Sequence, residues 1–127
     1  MAHVDPILNE LTGPGQLFEI EDGVVHGYRM KVYKNRPRNL RDLLAIGLGH
    51  GDLEYLTQGD VRYSFAEAIN RALSVAGALH HRFGVKPEDR VAVIGANAPD
   101  WVIAYWAVVA AQGVVVPFNA WWKAAEL

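Results

Sequence analysis

The stretch D-R-V-A-V-I-G-A-N-A-P-D-W-V-I-A-Y-W-A-V-V-A-A-Q-G-V-V-V-P-F-N, residues 89–119, decides the fold, and it admits two readings. No charged residue stands between Trp101 and Trp122. About 20 apolar residues in a row are enough to cross a bilayer as a helix, and Trp101, Trp121 and Trp122 mimic the aromatics of a membrane interface. The run nevertheless divides. Gln112-Gly113 supplies a helix stop, Val114-Val115-Val116 is a β-branched run that prefers extended backbone, and Pro117 bars helical continuation. Upstream, Arg90 to Ala96 is a second short apolar run bounded by turn residues. Strand, helix and strand therefore follow in order as one βαβ unit, with the helix running from Pro99 to Gln112. That helix is apolar on nearly every face, as in helices buried on more than one side. The connection is long enough for parallel pairing and should cross over right-handed. The expected fold class is α/β: part of a doubly wound, mostly parallel sheet with flanking helices.

The composition agrees with a packed core. The chain has 127 residues, 51% hydrophobic and 20% charged, which suits one domain of ordinary size and excludes a disordered protein. A net charge of -2 and a pI near 6.2 leave no global field for phosphate backbones, and no dense Lys/Arg tract appears, so no nucleic-acid partner is expected. The absence of cysteine excludes disulfides, thiolate metal sites and a cysteine nucleophile. Met1-Ala2-His3-Val4-Asp5 lacks a basic region followed by a hydrophobic core, so no secretory signal is read. The expected location is cytoplasmic, or peripheral to a membrane, without a transmembrane segment.

Before the βαβ unit, residues 1–16 carry Pro6, Gly13, Pro14 and Gly15 with little periodic pattern, which predicts a loosely ordered arm. Residues 17–38 form a second section. Apolar and polar residues alternate from Phe18 to Tyr33 around His26-Gly27, the pattern of a β-hairpin, and Lys34 to Arg38 is a basic, Pro-containing connector. The main domain is expected over residues 39–127. Asn39 caps a short helix, Leu40 to Leu48, that Gly47, Gly49 and Gly51 bring to an end. Leu53–Thr57 and Val61–Tyr63 flank Gln58-Gly59-Asp60 as a second hairpin. Ser64 and Glu67, three apart, are a capping-box signature. They open a helix carrying Phe65, Ile69, Ala72, Leu73, Ala76, Leu79 and Phe83 at helical spacing, closed by Gly84 as a left-handed cap. Trp122 to Leu127 begins a further helix without room to finish it, which makes the chain read as a truncated portion of a larger domain.

Few residues here carry chemistry. Gly47-Leu48-Gly49-His50-Gly51 follows a predicted helix and precedes a strand, whereas a dinucleotide fingerprint follows a strand and opens a helix; it reads as a terminator and loop. His80 and His81 are adjacent on a helix, about 100° apart, and do not share the i, i+4 face of a metal pair. No metal site is expected. The two serines are a helix cap, Ser64, and a mid-helix residue, Ser74, so no nucleophile is read, and the carboxylates show no local acid/base pairing. No catalytic residue is assigned. Asn97 and Asn119 each follow a predicted parallel strand, at the end where ligands of α/β sheets bind, and are candidate ligand-edge residues. The alternative is that both satisfy backbone groups at turns.

Several motifs in order resemble the N-terminal part of the adenylate-forming superfamily, which includes acyl-CoA synthetases, luciferases and peptide-synthetase adenylation domains. They are Arg62-Tyr63-Ser64-Phe65-Ala66-Glu67, then Gly84-Val85-Lys86-Pro87-Glu88-Asp89-Arg90-Val91-Ala92-Val93, then Asn97-Ala98-Pro99-Asp100-Trp101. Val114-Val115-Val116-Pro117-Phe118-Asn119 and Ala124-Ala125-Glu126-Leu127 complete the series. The resemblance runs from Leu40 to the end and looks most like bacterial fatty-acyl or related carboxylate-CoA ligases. Three positions depart from the family pattern. Glu88 stands where glycine is common, which suggests a turn without positive φ; Gln112-Gly113 replaces Gly-Ala and moves the helix-ending glycine by one position; Lys123 replaces Thr or Ser and weakens the next helix cap.

The resemblance implies a parent enzyme of fatty acid metabolism that converts ATP and a carboxylic acid to acyl-adenylate and pyrophosphate, then transfers the acyl group to CoA. Its cofactors would be ATP, Mg and CoA. The family's phosphate loop, ribose-binding aspartate and catalytic lysine lie downstream of the matched motifs, so this segment alone is expected to be inactive and to bind no cofactor. Two other functions stay open: an acyl-AMP ligase loading a carrier protein, and a stand-alone non-catalytic interaction module. A homo-oligomer through an exposed sheet edge or apolar helix face is also expected.

Overall fold

A computed structural model describes residues 4–126. The chain divides into two compact units, residues 1–38 and 39–127.

The first unit is a helix and a hairpin. Helix α1 spans Val4–Thr12, where a loosely ordered arm was expected. Ile7, Leu8 and Leu11 share one face, and Pro6 lies in the first turn, where a missing N–H costs no intrahelical bond. The helix ends as the Gly13 amide donates to the Asn9 carbonyl at 2.9 Å; a Cβ at Gly13 would stand 2.7 Å from that oxygen. Strands β1 (Ile20–Val25) and β2 (Tyr28–Tyr33) pair antiparallel, Ile20 opposite Tyr33 and Val25 opposite Tyr28. Their two-residue turn is His26-Gly27, φ 49° and 86°, the double left-handed geometry that matches strand twist. Two ion pairs cross the base and middle of the hairpin, Lys34–Glu19 at 2.8 Å and Lys31–Asp22 at 2.9 Å.

In the second unit, α2 (Leu40–Leu48) starts at Asn39, whose side chain accepts from the Asp42 amide while the Asp42 carboxylate accepts from the Asn39 amide. The hairpin β3 (Glu54–Gln58) and β4 (Val61–Ser64) follows, turning through Gly59 at φ 56°. Ser64 and Glu67 form the expected reciprocal capping box, opening α3 (Phe65–His81). The helix ends through Gly84 at φ 69°, whose N–H donates to the His80 carbonyl at 3.2 Å in an αL closure, while Val85 N–H donates to the Leu79 carbonyl at 3.0 Å. Ala68, Ile69, Ala72 and Ala76 are its buried face. Phe83 shares the helical spacing but is 69% exposed, under the Arg82 guanidinium.

The βαβ unit is present as read. Strands β5 (Arg90–Ile94) and β6 (Val114–Phe118) pair parallel in continuous register, Arg90 with Val114 through Ile94 with Phe118. Helix α4 (Pro99–Ala110) connects them, with Pro99 at its start where proline is favoured. No helix among the described residues is long and apolar enough to cross a membrane. The charge-free run is instead a core: Ile103 and Ala107 pack with Ala68 and Ala72 of α3, and Val109 packs with Leu44 of α2 and Ile69. Small residues on both helices allow this close approach. The Trp106 indole N–H donates to the Tyr55 hydroxyl at 3.0 Å, giving one of the two α4 tryptophans a polar partner.

Three local expectations are corrected. Glu88 does adopt positive φ, 71°, so the turn keeps its glycine-like geometry without glycine. Its amide donates to the Gln112 carbonyl at 3.0 Å, and Lys86 N–H bonds the Asp89 carboxylate at 2.8 Å, which fix the turn regardless of the residue at 88. The residue that ends α4 in left-handed backbone is Gln112, φ 65°, rather than Gly113. Gly113 serves close packing: an added Cβ would lie 3.0 Å from Val108 Cγ1 and 3.2 Å from the Asp89 carbonyl. Finally, residues 123–126 form one turn and no helix among the described residues. The Glu126 carboxylate accepts from the Lys123 amide at 2.7 Å, but Lys123 offers no capping acceptor in return. Leu127 lies outside the described residues.

Candidate ligand edge at the carboxyl end of the parallel pair

Because β5 and β6 are parallel and Ile94 pairs with Phe118, the chain leaves both strands at the same end. Asn97 stands three residues past Ile94 and Asn119 one past Phe118, both exposed. This is the end at which α/β sheets bind ligands.

The two asparagines are used differently. Asn119 Oδ1 accepts from the Trp121 amide at 3.0 Å, and the Asn119 carbonyl accepts from the Trp122 amide at 3.1 Å, so its side chain builds the turn that leaves β6. Asn97 presents its carbonyl to Gln58 Nε2 at 3.2 Å, and its side-chain amide has no hydrogen-bond partner among the described residues. Beside it a groove of about 240 Å³ runs between Leu56, Thr57 and Gln58 of β3 and Ala98 with Pro99 and Val102 of α4. Ala98 is the N-cap of α4 and gives no side-chain cap, while Asp100 lies in the first turn, where a carboxylate suits the helix dipole.

Gln58 is the residue that sequence reasoning missed. It was placed in a hairpin turn, but its side chain reaches 39 residues along the chain, and no local pattern signals such a contact.

The arrangement offers amide hydrogen bonds and no proton-transfer or nucleophilic group. The glycine-rich segment lies elsewhere: the His50 ring meets Phe65 at a tilt of 48° with centroids 4.8 Å apart, Gly51 accepts from the Ala66 amide at 2.9 Å, and Gly51 has φ 58°. These contacts tie the end of α2 to the first turn of α3, so the segment does not fit a nucleotide phosphate. His80 and His81 meet edge to face at 4.8 Å, closer than their predicted divergence, with His80 Nδ1 3.2 Å from the Val85 carbonyl. Among the described residues no group of three or more His, Asp or Glu is placed to hold a metal ion. The groups with displaced pKa belong to the hairpin unit. The hydrogen bond from Lys34, then that from the Gly15 amide, holds Glu19 below the usual carboxylate range, and the bond to Glu19 raises Lys34.

The model of the AMP-binding enzyme family matches residues 47–127. The chain belongs to that family. One curated relative is the 3-[(3aS,4S,7aS)-7a-methyl-1,5-dioxo-octahydro-1H-inden-4-yl]propanoyl:CoA ligase of Rhodococcus jostii (strain RHA1), 36% identical over 76 residues, 60% of this chain and 15% of the relative. Another is the phenyloxazoline synthase MbtB of Mycobacterium sp. (strain MCS), 46% identical over 57 residues, 45% of this chain and 5% of the relative. This family member thus spans a small part of the length of the curated relatives it matches. In fold it is similar to the N-terminal subdomain of NpsA from Klebsiella oxytoca, with a TM-score of 0.64 and 19% identity over 68% of this chain and 23% of that one. The α/β fold is therefore that of the N-terminal subdomains of adenylate-forming enzymes.

Proposed function

We propose that this chain forms part of a cytoplasmic, ATP-dependent acid-thiol ligase, which activates a carboxylic acid of the fatty-acyl class as acyl-adenylate and transfers it to CoA. The observation that carries this reading is the 36% identity to a CoA ligase across 76 residues. ATP, Mg²⁺, CoA and the acid are the partners of the complete protein. None of the described residues fits a phosphate or a catalytic lysine role, so no step of the reaction is assigned to them. Their task is to build the sheet on which the site stands, with Asn97 and Asn119 as ligand-edge residues.

A second reading sends the acyl group to a carrier-protein thiol. It draws on the 46% identity to phenyloxazoline synthase, a relative whose name carries no CoA chemistry. The test incubates the complete gene product with ATP, Mg²⁺, an acid panel and either CoA or a carrier protein, and measures thioester. Thioester on CoA supports the first reading, thioester only on the carrier selects the second, and none on either rejects both.

A further inference from the structure

Helices α2, α3 and α4 leave between them a groove of about 270 Å³. Leu44 and Ile69, 7% and 4% exposed, lie at its floor, and Leu48 and Leu73, 43% and 46% exposed, flank it together with alanines of α2 and α4. Arg41 is the polar side chain in the lining. No carboxylate lines the groove, and Arg41 makes no ion pair or hydrogen bond among the described residues. Asp42, its neighbour, caps α2 through the Asn39 amide.

We propose that this groove binds a medium-chain aliphatic carboxylate, its chain over Leu44, Ile69 and Leu73 and its head on Arg41. An apolar groove bearing one unpaired guanidinium is complementary to a ligand with an apolar body and one anion, and the planar fork of arginine matches a carboxylate. The volume lies just under the roughly 300–1,000 Å³ of pockets for drug-sized ligands, which suits a small ligand. The site is distinct from the ligand edge described above: Ala110 of its lining ends α4, while Asn97 precedes the first residue of that helix. It rests on the groove alone and not on the proposed reaction, so its test contains no ATP.

The test is calorimetric titration of the 127-residue chain with decanoate and with decanol, below their micelle concentrations. One saturable site is expected, with decanoate binding at least fivefold more tightly than decanol. Arg41→Gln should remove that preference and leave decanol binding unchanged, and Leu73→Asp should weaken both ligands at least tenfold. Both substitutions are at exposed positions, and matching thermal melts would verify their folding. Equal affinity for the two ligands, an unaltered preference in Arg41→Gln, or the absence of saturable binding overturns the proposal. So does a concentration-dependent dimer that Leu73→Asp abolishes while decanoate fails to bind, because a second copy then covers the groove.

Discussion

The amide of Glu88 donates to the carbonyl of Gln112 at 3.0 Å, and both residues hold left-handed backbone, at φ 71° and 65°. This bond ties the turn before β5 to the turn before β6. Asp89 completes the tie, its carbonyl accepting from the Val114 amide at 2.8 Å. Two side-chain-bearing residues thus occupy conformations that glycine adopts without steric cost, at the amino end of the parallel pair.

Replacing either by glycine should stabilise the chain. Left-handed backbone costs a residue with Cβ about 1–2 kcal/mol, and the added unfolded-state entropy of glycine returns about 0.5–1 kcal/mol of that. Glu88→Gly and Gln112→Gly should each gain about 0.5–1 kcal/mol in denaturant unfolding. A loss of stability in both would show that the strain is not there.

Gly113→Ala should have the opposite effect. Its Cβ would press on Val108 Cγ1 at 3.0 Å and on the Asp89 carbonyl at 3.2 Å, inside the joint that sets the β5–β6 register. A cost of about 1–3 kcal/mol is expected, as for overpacked cores. Neutral behaviour in the same unfolding measurement would contradict this packing role.

How much of this was legible in the sequence depends on the range of the interaction. Asn39, Ser64-Glu67 and Gly84 mark helix ends because caps are made by residues three or four positions apart, and all three act as read. The βαβ unit was legible because Val114-Val115-Val116 and Pro117 break the helical pattern. Helix α1 was missed because Pro6 was counted as a breaker, although a first-turn proline loses no bond. Positive φ at Glu88 and Gln112 was missed because residue type was taken to decide turn geometry, whereas here the bonds between the two turns decide it. At the candidate site, topology placed Asn97 and Asn119 at one end of the pair, but the Gln58 contact and the groove beside it arise only from tertiary packing.

The hairpin unit should respond to pH from both sides. Glu19 has its pKa lowered chiefly by the Lys34 hydrogen bond, so its contribution is present above the unfolded carboxylate pKa of about 4.3 and is lost as pH falls through the folded value. Lys34 has its pKa raised chiefly by Glu19, so its contribution is complete below about 10.4 and is lost as pH rises through the folded value. Between these limits the contribution of the Glu19–Lys34 pair to stability should be constant, and an NMR titration of the Glu19 and Lys34 side chains checks it. Glu19→Gln should erase the acid-side change, and its persistence would assign that change to another group.

The two candidate ligand-edge residues should separate on substitution. Asn119→Ala removes the acceptor for the Trp121 amide and should cost about 0.5–1.5 kcal/mol of stability. Asn97→Ala removes no protein hydrogen bond and should leave stability within about 0.5 kcal/mol. In the complete gene product Asn97→Ala should raise the KM for a substrate by roughly two- to tenfold, the worth of one neutral hydrogen bond. Unchanged kinetics would remove Asn97 from the site.

The most direct test of the family chemistry is acid-dependent exchange of labelled pyrophosphate into ATP by the complete gene product with Mg²⁺. Exchange that appears only when a carboxylic acid is added, and needs no thiol acceptor, is the predicted result, because adenylate formation precedes acyl transfer. No exchange across short, medium, long-chain and ring-bearing acids would contradict the account.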